Sequence, residues 1–229
     1  MILLASDFDE TIFFFVDSHK TKKNIEWIQK FVSQGNIFCI ITGRNYSSIK
    51  KHLNEMNIPY TYLICEDGAK IFNSVDYCMD TIYLDPKEID KVIPILEKNH
   101  WDYYLDDGYN QTENKNDCVK IVIPCSEKEE QKRMVETIQK EINVHIYASR
   151  NHVNIIHETV NKEKALKKLI ALESLENIPV YTIGDNDNDY ELIEAFQGVV
   201  VKDHHEKLDD LHTKEYENLS EYIQELMKN

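Results

Sequence analysis

The feature that most constrains the fold of this chain is an alternation that runs, stops and then resumes. Short apolar runs take turns with amphipathic stretches from the beginning: "ILLAS", "NIEWIQKFVSQG", "NIFCIIT", "SSIKKHLNEM" and "YTYLIC" follow one another without a break. Apolar runs bounded by turn residues read as buried strands, and apolar residues at helical spacing between them read as helices. Alternation of the two builds a parallel sheet with helices packed on its faces. Gly35 is placed to cap the first helix, and Pro59 marks the turn before the third strand.

From about Asn73 the texture changes. "TIYL", a helix opened by Pro86, "WDYYL", the polar loop "DDGYNQTENKND", "CVKIVIP", a charged helix from about Ser126, "VHIYAS" and "HVNIIH" put strands in succession with few helices among them. That pattern suits a small α+β unit with an antiparallel sheet. After Lys162 the first alternation returns in "KEKALKKLIALE", "IPVYTIG", "DYELIEAF" and "GVVV". The expected fold is α/β: a Rossmann-like, doubly wound parallel-sheet core over residues 1–73 and 154–229, with an α+β domain inserted over 74–153.

Composition limits what such a fold can do. With 229 residues and 42% hydrophobic content the chain can bury one large core or two modest ones. A formal charge of −15 repels polyanions and argues against a nucleic-acid surface, whereas a small anionic ligand is compatible if local cations or a metal reverse the field. Five cysteines without a CxxC spacing indicate neither a disulfide framework nor a structural zinc site, and read as reduced, mostly buried thiols. The apolar start, Met1 to Leu4, is too short for a signal sequence, and no apolar run is long enough to span a bilayer. The expected location is the cytoplasm, with no membrane partner.

Polar residues collect at the ends of the expected strands. Asp7 and Asp9 follow "ILLAS", Thr42 and Gly43 close "NIFCIIT", and Asp185 and Asp189 follow "VYTIG". In an open α/β sheet the carboxyl ends of the strands form the ligand crevice, so residues far apart in sequence converge there. Carboxylates gathered in one place repel unless a cation joins them, and hard Mg²⁺ suits such oxygens. Taken singly, Asp7, Asp9 and Thr11 also fit a plain turn after a strand, and Lys162 fits a solvated helix lysine beside Lys164, Lys167 and Lys168. Arg44 and Asn45 equally suit the start of a helix.

Taken together, these residues resemble a known family. "DFDET" is similar to the DxDxT motif of the haloacid dehalogenase superfamily of phosphohydrolases, "ITGR" to its second motif, Lys162 in "VNKEKAL" to its third and "GDNDND" to its fourth. "ICEDGA" resembles the "ENGA" stretch of the Cof-like branch, and Glu163 stands where relatives often have Gly. Residues 10–41 are too few to hold a cap between the first two motifs, so the insertion lies between the second and third. In the family that position marks type II caps, and the strand-helix mixture resembles type IIB, for which 74–153 is short.

The resemblance implies a Mg²⁺-dependent phosphohydrolase acting on a small phosphorylated metabolite, a sugar or polyol phosphate. Asp7 is the implied nucleophile, giving an aspartyl-phosphate, and Asp9 the acid and base. Thr42 and Lys162 complete the catalytic set. Asp7, Asp9 (through its carbonyl), Asp185 and Asp189 are the implied metal-binding residues, and Thr11, Gly43, Arg44 and Asn188 the substrate-binding ones. Glu10 receives no role. A phosphomutase, or a phosphate-accepting signalling domain akin to response-regulator receivers, stand as alternatives. In the insertion, Asp106, Asp107, Tyr109, Arg150, His152 and Asn154 are polar candidates for substrate contact. "DHHEKLDDLH" reads as exposed helical surface and "EYENLSEYIQELM" as a packing helix. The oligomeric state is open.

Overall fold

A computed structural model describes residues 1–149 and 151–228. Arg150 lies outside the described residues. The chain begins with β1 (Leu3–Ser6), α1 (Ser18–Ser33), β2 (Ile37–Ile41), α2 (Tyr46–Met56) and β3 (Tyr62–Cys65). Asp17 caps α1 by accepting from the amides of His19 and Lys20, and Gly35, at φ +81°, follows its C-terminus. A hairpin of β4 (Lys70–Asn73) and β5 (Cys78–Thr81) comes next.

The middle of the chain holds α3 (Pro86–Lys98), β6 (Tyr104–Asp106), β7 (Gln111–Thr112), β8 (Lys120–Pro124), α4 (Lys128–Glu141), β9 (His145–Ala148) and β10 (His152–Ile156). The last part holds α5 (Lys162–Leu172), β11 (Val180–Gly184), α6 (Tyr190–Phe196), β12 (Val199–Val201), β13 (Glu215–Tyr216) and α7 (Leu219–Leu226). "DHHEKLDDLH" forms a 3-10 turn, Glu206–Leu211, that buries Leu208 against Ile193 and Val200.

Eight strands form the large sheet in the order β13-β12-β11-β1-β2-β3-β4-β5. Pairing is parallel from β13 to β3 and antiparallel in the β3-β4-β5 meander. Strand alternation gives each face its own core. Leu4, Phe38, Ile40 and Leu63 pack with α1, α2 and α7, while Leu3, Ala5, Cys39 and Ile64 pack with α5 and α6. The chain is therefore mixed α/β with a doubly wound parallel-sheet core.

The smaller sheet is antiparallel, in the order β7-β6-β8-β10-β9. Ile121, Ile123, Val153 and Ile155 face α3 and α4. On its other face Tyr104, Val122, Asn154 and Tyr147 stand side by side in one cross-strand row. The observed sheets correct the expected boundaries. The insertion is expected to start at residue 74, yet Cys78–Thr81 extend the large sheet, because the turn after Asn73 folds β5 back along β4. The break expected at 153/154 instead cuts β10, whose Val153 and Ile155 belong to the small sheet's core.

Candidate active site

The carboxyl end of the central strands gathers the polar residues. Asp7 leaves β1 with its amide bonded to the Ile183 carbonyl at 3.0 Å, which fixes it beside β11. Lys162 is the first residue of α5, where Asn161 caps the helix by accepting from the Lys164 amide. Helical side chains lean toward the N-terminus, so the Lys162 side chain reaches back to the strand ends. Its ammonium donates to Asp7 at 2.6 Å and to Asp189 at 2.7 Å, and all three side chains are buried. The other Asp189 oxygen accepts from the amides of Asp185 and Asn186, both at 3.1 Å, which closes the loop after β11.

Asp7, Asp185 and Asp189 offer ligand oxygens that all lie within 4.8 Å of one another. Burial raises the Asp7 carboxyl well above its usual range against the pull of Lys162. Burial, and then Asp189, push Asp185 up to about 7. One lysine thus faces three acids, and without a second cation two of the three are pushed toward their protonated forms. That donor set of hard oxygens fits a divalent cation such as Mg²⁺. Asp189 spends its oxygens on Lys162 and two amides, which leaves Asp7 and Asp185 the better-placed ligands.

Other expected residues take different positions. The Asp9 carboxylate does not join the cluster: Arg44 grips it in two bonds, at 2.8 and 2.6 Å, with the guanidinium over the Phe8 ring. Thr11, expected to touch substrate, is fully buried and donates to Asp185 at 3.1 Å, so it orients that carboxylate instead. Thr42 is buried at the end of β2, its hydroxyl accepting from the Arg44 amide.

Asp9, Glu10, Gly43, Arg44 and Asn188 line a cavity of about 420 Å³ between the two sheets, which Asp7 and Asp185 also reach. The small sheet supplies its opposite wall through Tyr104, Val122, Tyr147 and Asn154, with Asp106 and His152 beside them. Asp107 and Tyr109 have other tasks: Asp107 closes its own turn, and Tyr109 packs against Tyr46 and Phe72.

A second buried charge cluster adjoins the cavity, and its members carry no expected role. Lys120 of β8 pairs with Glu66 and Asp67, which follow β3, and donates to the Gly43 carbonyl at 2.9 Å. Tyr147 of β9 donates to Asp67, as does the Asn188 amide at 2.9 Å. Burial pushes Glu66 up to about 7 in spite of Lys120. Burial alone would raise Asp67 as well, but Lys120 and Lys162 hold it below its usual value. One signal in the sequence pointed here: a lone lysine inside the apolar "CVKIVIP" must either be paired or break the strand. Its partners, more than fifty residues away, left no trace in the local pattern.

A model of the haloacid dehalogenase-like hydrolase family matches residues 4–110 and 102–218. The chain belongs to this family. A protein of Buchnera aphidicola, provisionally named a phosphatase, is 25% identical over 227 residues, covering 84% of this chain and 82% of that one. Among solved structures, a provisionally assigned HAD/COF-like hydrolase from Plasmodium vivax superposes with a TM-score of 0.85 at 17% identity, over 100% of this chain and 96% of that one. A phosphatase of the same superfamily from Bacteroides thetaiotaomicron gives 0.80 at 16% identity, over 100% and 94%. At these identities the structures testify to the fold. Among the described residues no helix is long and apolar enough to cross a membrane.

Proposed function

We propose that this chain is a Mg²⁺-dependent phosphohydrolase of small phosphorylated metabolites, sugar or polyol phosphates, working through an aspartyl-phosphate at Asp7. The observation that carries this reading is a buried Asp7 held by a buried Lys162 inside a three-carboxylate cluster at the floor of a polar cavity. An Asp7 oxygen attacks phosphorus while the bond to the leaving oxygen breaks, and protonated Asp9 gives that oxygen its proton. Asp9 must turn from Arg44 to do so. Water then attacks the same phosphorus, Asp9 takes its proton, and the bond to Asp7 breaks to release phosphate. Lys162 keeps Asp7 oriented and balances phosphoryl charge, and the Thr42 hydroxyl donates to a phosphoryl oxygen.

Asp7 and Asp185, with the Asp9 carbonyl as a further donor, would hold Mg²⁺, which would supply neutralisation of the negative charge that gathers at the site. In this reading the inserted unit is a cap over the leaving group, which excludes water while the aspartyl-phosphate forms.

The test is release of inorganic phosphate from a panel of sugar and polyol monophosphates, with Asp7→Asn and a chelator as controls. Release that requires both Asp7 and the metal is the expected result. Absence of release from every monophosphate by folded, Mg²⁺-supplied protein would sink the proposal, and transfer between positions of one sugar would turn it into a mutase.

A further inference from the structure

The loop after β3 folds in an unusual way. Glu66, Asp67 and Gly68 all have positive φ, at +55°, +56° and +118°. Such backbone is disfavoured for residues with a side chain and survives where surrounding contacts over-determine it. Here those contacts come from three directions. The Asp67 amide donates to the Thr42 carbonyl at 3.0 Å, and its carboxylate lies so close to Gly43 that a Cβ there would stand 2.9 Å from it. The small sheet contributes Lys120 and Tyr147 to one carboxylate oxygen, and the fourth motif contributes Asn188 to the other.

The bond to Asn188 settles which way that amide points. An ionised carboxylate only accepts, so the Asn188 nitrogen faces Asp67 and its oxygen faces away. That oxygen is buried and has no donor among the described residues, and the side chain stands between two cavities, the one over Asp7 and a second beside Asp187 and Lys207. A carbonyl oxygen repels phosphoryl oxygens and suits a hydroxyl or a water. The expectation that Asn188 binds substrate is compatible with this geometry, which narrows the partner of its oxygen to a hydrogen-bond donor.

We propose that Asp67 is a positioning residue which fixes the Asn188 amide so that its oxygen accepts from a hydroxyl donor at the active site, either a substrate hydroxyl or the attacking water. Lys120 and Tyr147 hold Asp67 in that pose, so seating the small sheet completes the site. An asparagine at position 67 could donate as well as accept, and the Asn188 amide could then turn over. The inference rests on the phosphatase reading of Asp7 and Lys162.

A charge-conserving swap tests it. Asp67→Asn frees the Asn188 amide, and Asn188→Asp sets two carboxylates against each other; each change should lower kcat about ten-fold or more, with less change in KM. In the double variant Asn at 67 can donate to Asp at 188 and still accept from Lys120 and Tyr147. The swap should bring kcat back to within about three-fold of the parent. Lys120→Met should lower kcat in the parent and add little to Asp67→Asn, with thermal melts confirming that each variant is folded.

Additive losses with no recovery in the swap, or a fully active Asp67→Asn, would overturn the inference while wild-type phosphate release still stood. An inactive wild type would strike the phosphatase reading instead.

Discussion

Two buried lysines divide the polar interior of this protein, and they work under opposite conditions. Lys162 faces Asp7 and Asp189 with Asp185 close by, all at the ends of the parallel strands. Lys120 faces Glu66 and Asp67 across the seam between the sheets, where Tyr147, Asn188 and the Gly43 carbonyl share the work. The first cluster has acids left over and side-chain oxygens still able to bind a cation. In the second, two acids share one lysine, and the Asp67 carboxylate is met by Tyr147 and the Asn188 amide as well as by Lys120. A cluster short of positive charge calls for a ligand, whereas one that balances itself holds parts together.

The largest effect should separate the two lysines. Lys162→Met removes the cation next to the attacking carboxylate and should cut kcat about a thousand-fold, well beyond the loss from Lys120→Met. Equal losses, measured by phosphate release, would erase the distinction.

Magnesium should separate them next, through pH. Folded Asp185 keeps its proton up to about 7, against 3.8 for an ordinary aspartate, so the folded protein binds more protons in that window. Metal-free stability therefore falls as pH rises through it. Mg²⁺ competes with the proton, so the rise in Tm on adding it should grow from almost nothing at pH 5 to roughly 5 °C at pH 8. A metal effect that is flat across this range would place the ion elsewhere.

The smallest effect belongs to the self-balanced cluster. Glu66 has the same sign: its raised carboxyl costs stability as pH climbs from 4.5 toward about 7. Glu66→Gln should remove that slope and stabilise the protein at pH 8 by on the order of 1 kcal/mol, with little gain at pH 5. Denaturant melts at the two pH values measure it, and destabilisation at pH 8 would show that the Lys120 pair is worth more than its desolvation.

The contrast between the clusters also explains what could be read in the sequence. Asp7, Thr42, Lys162 and Asp185 were legible because each sits at the end of a strand or the start of a helix whose apolar pattern is clear. Their convergence then follows from parallel topology. Asp9 lines the cavity, as its place after the first strand implies, but its grip on Arg44 is a side-chain choice that no spacing encodes. Thr11 shows the reverse problem: a hydroxyl beside the motif turned inward to Asp185. Lys120 and Tyr147 stayed hidden because their role depends on how one sheet docks on another. The place of β5 was missed for a related reason, since a short strand after a turn can extend either of two neighbouring sheets.

The contact at Gly68 has a bearing on how the chain comes off the ribosome. A Cβ at that position would lie 2.6 Å from the carbonyl oxygen of Asn161, so the loop after β3 is shaped to fit the start of α5. The ribosome makes α5 roughly ninety residues later, after the whole insertion has emerged, and β11, the partner of β1, comes later still. The early strands must wait with one face bare. The insertion has a small core of its own, so its apolar residues can be buried before α5 emerges, and the exposed face of the early strands is then the main apolar surface left waiting.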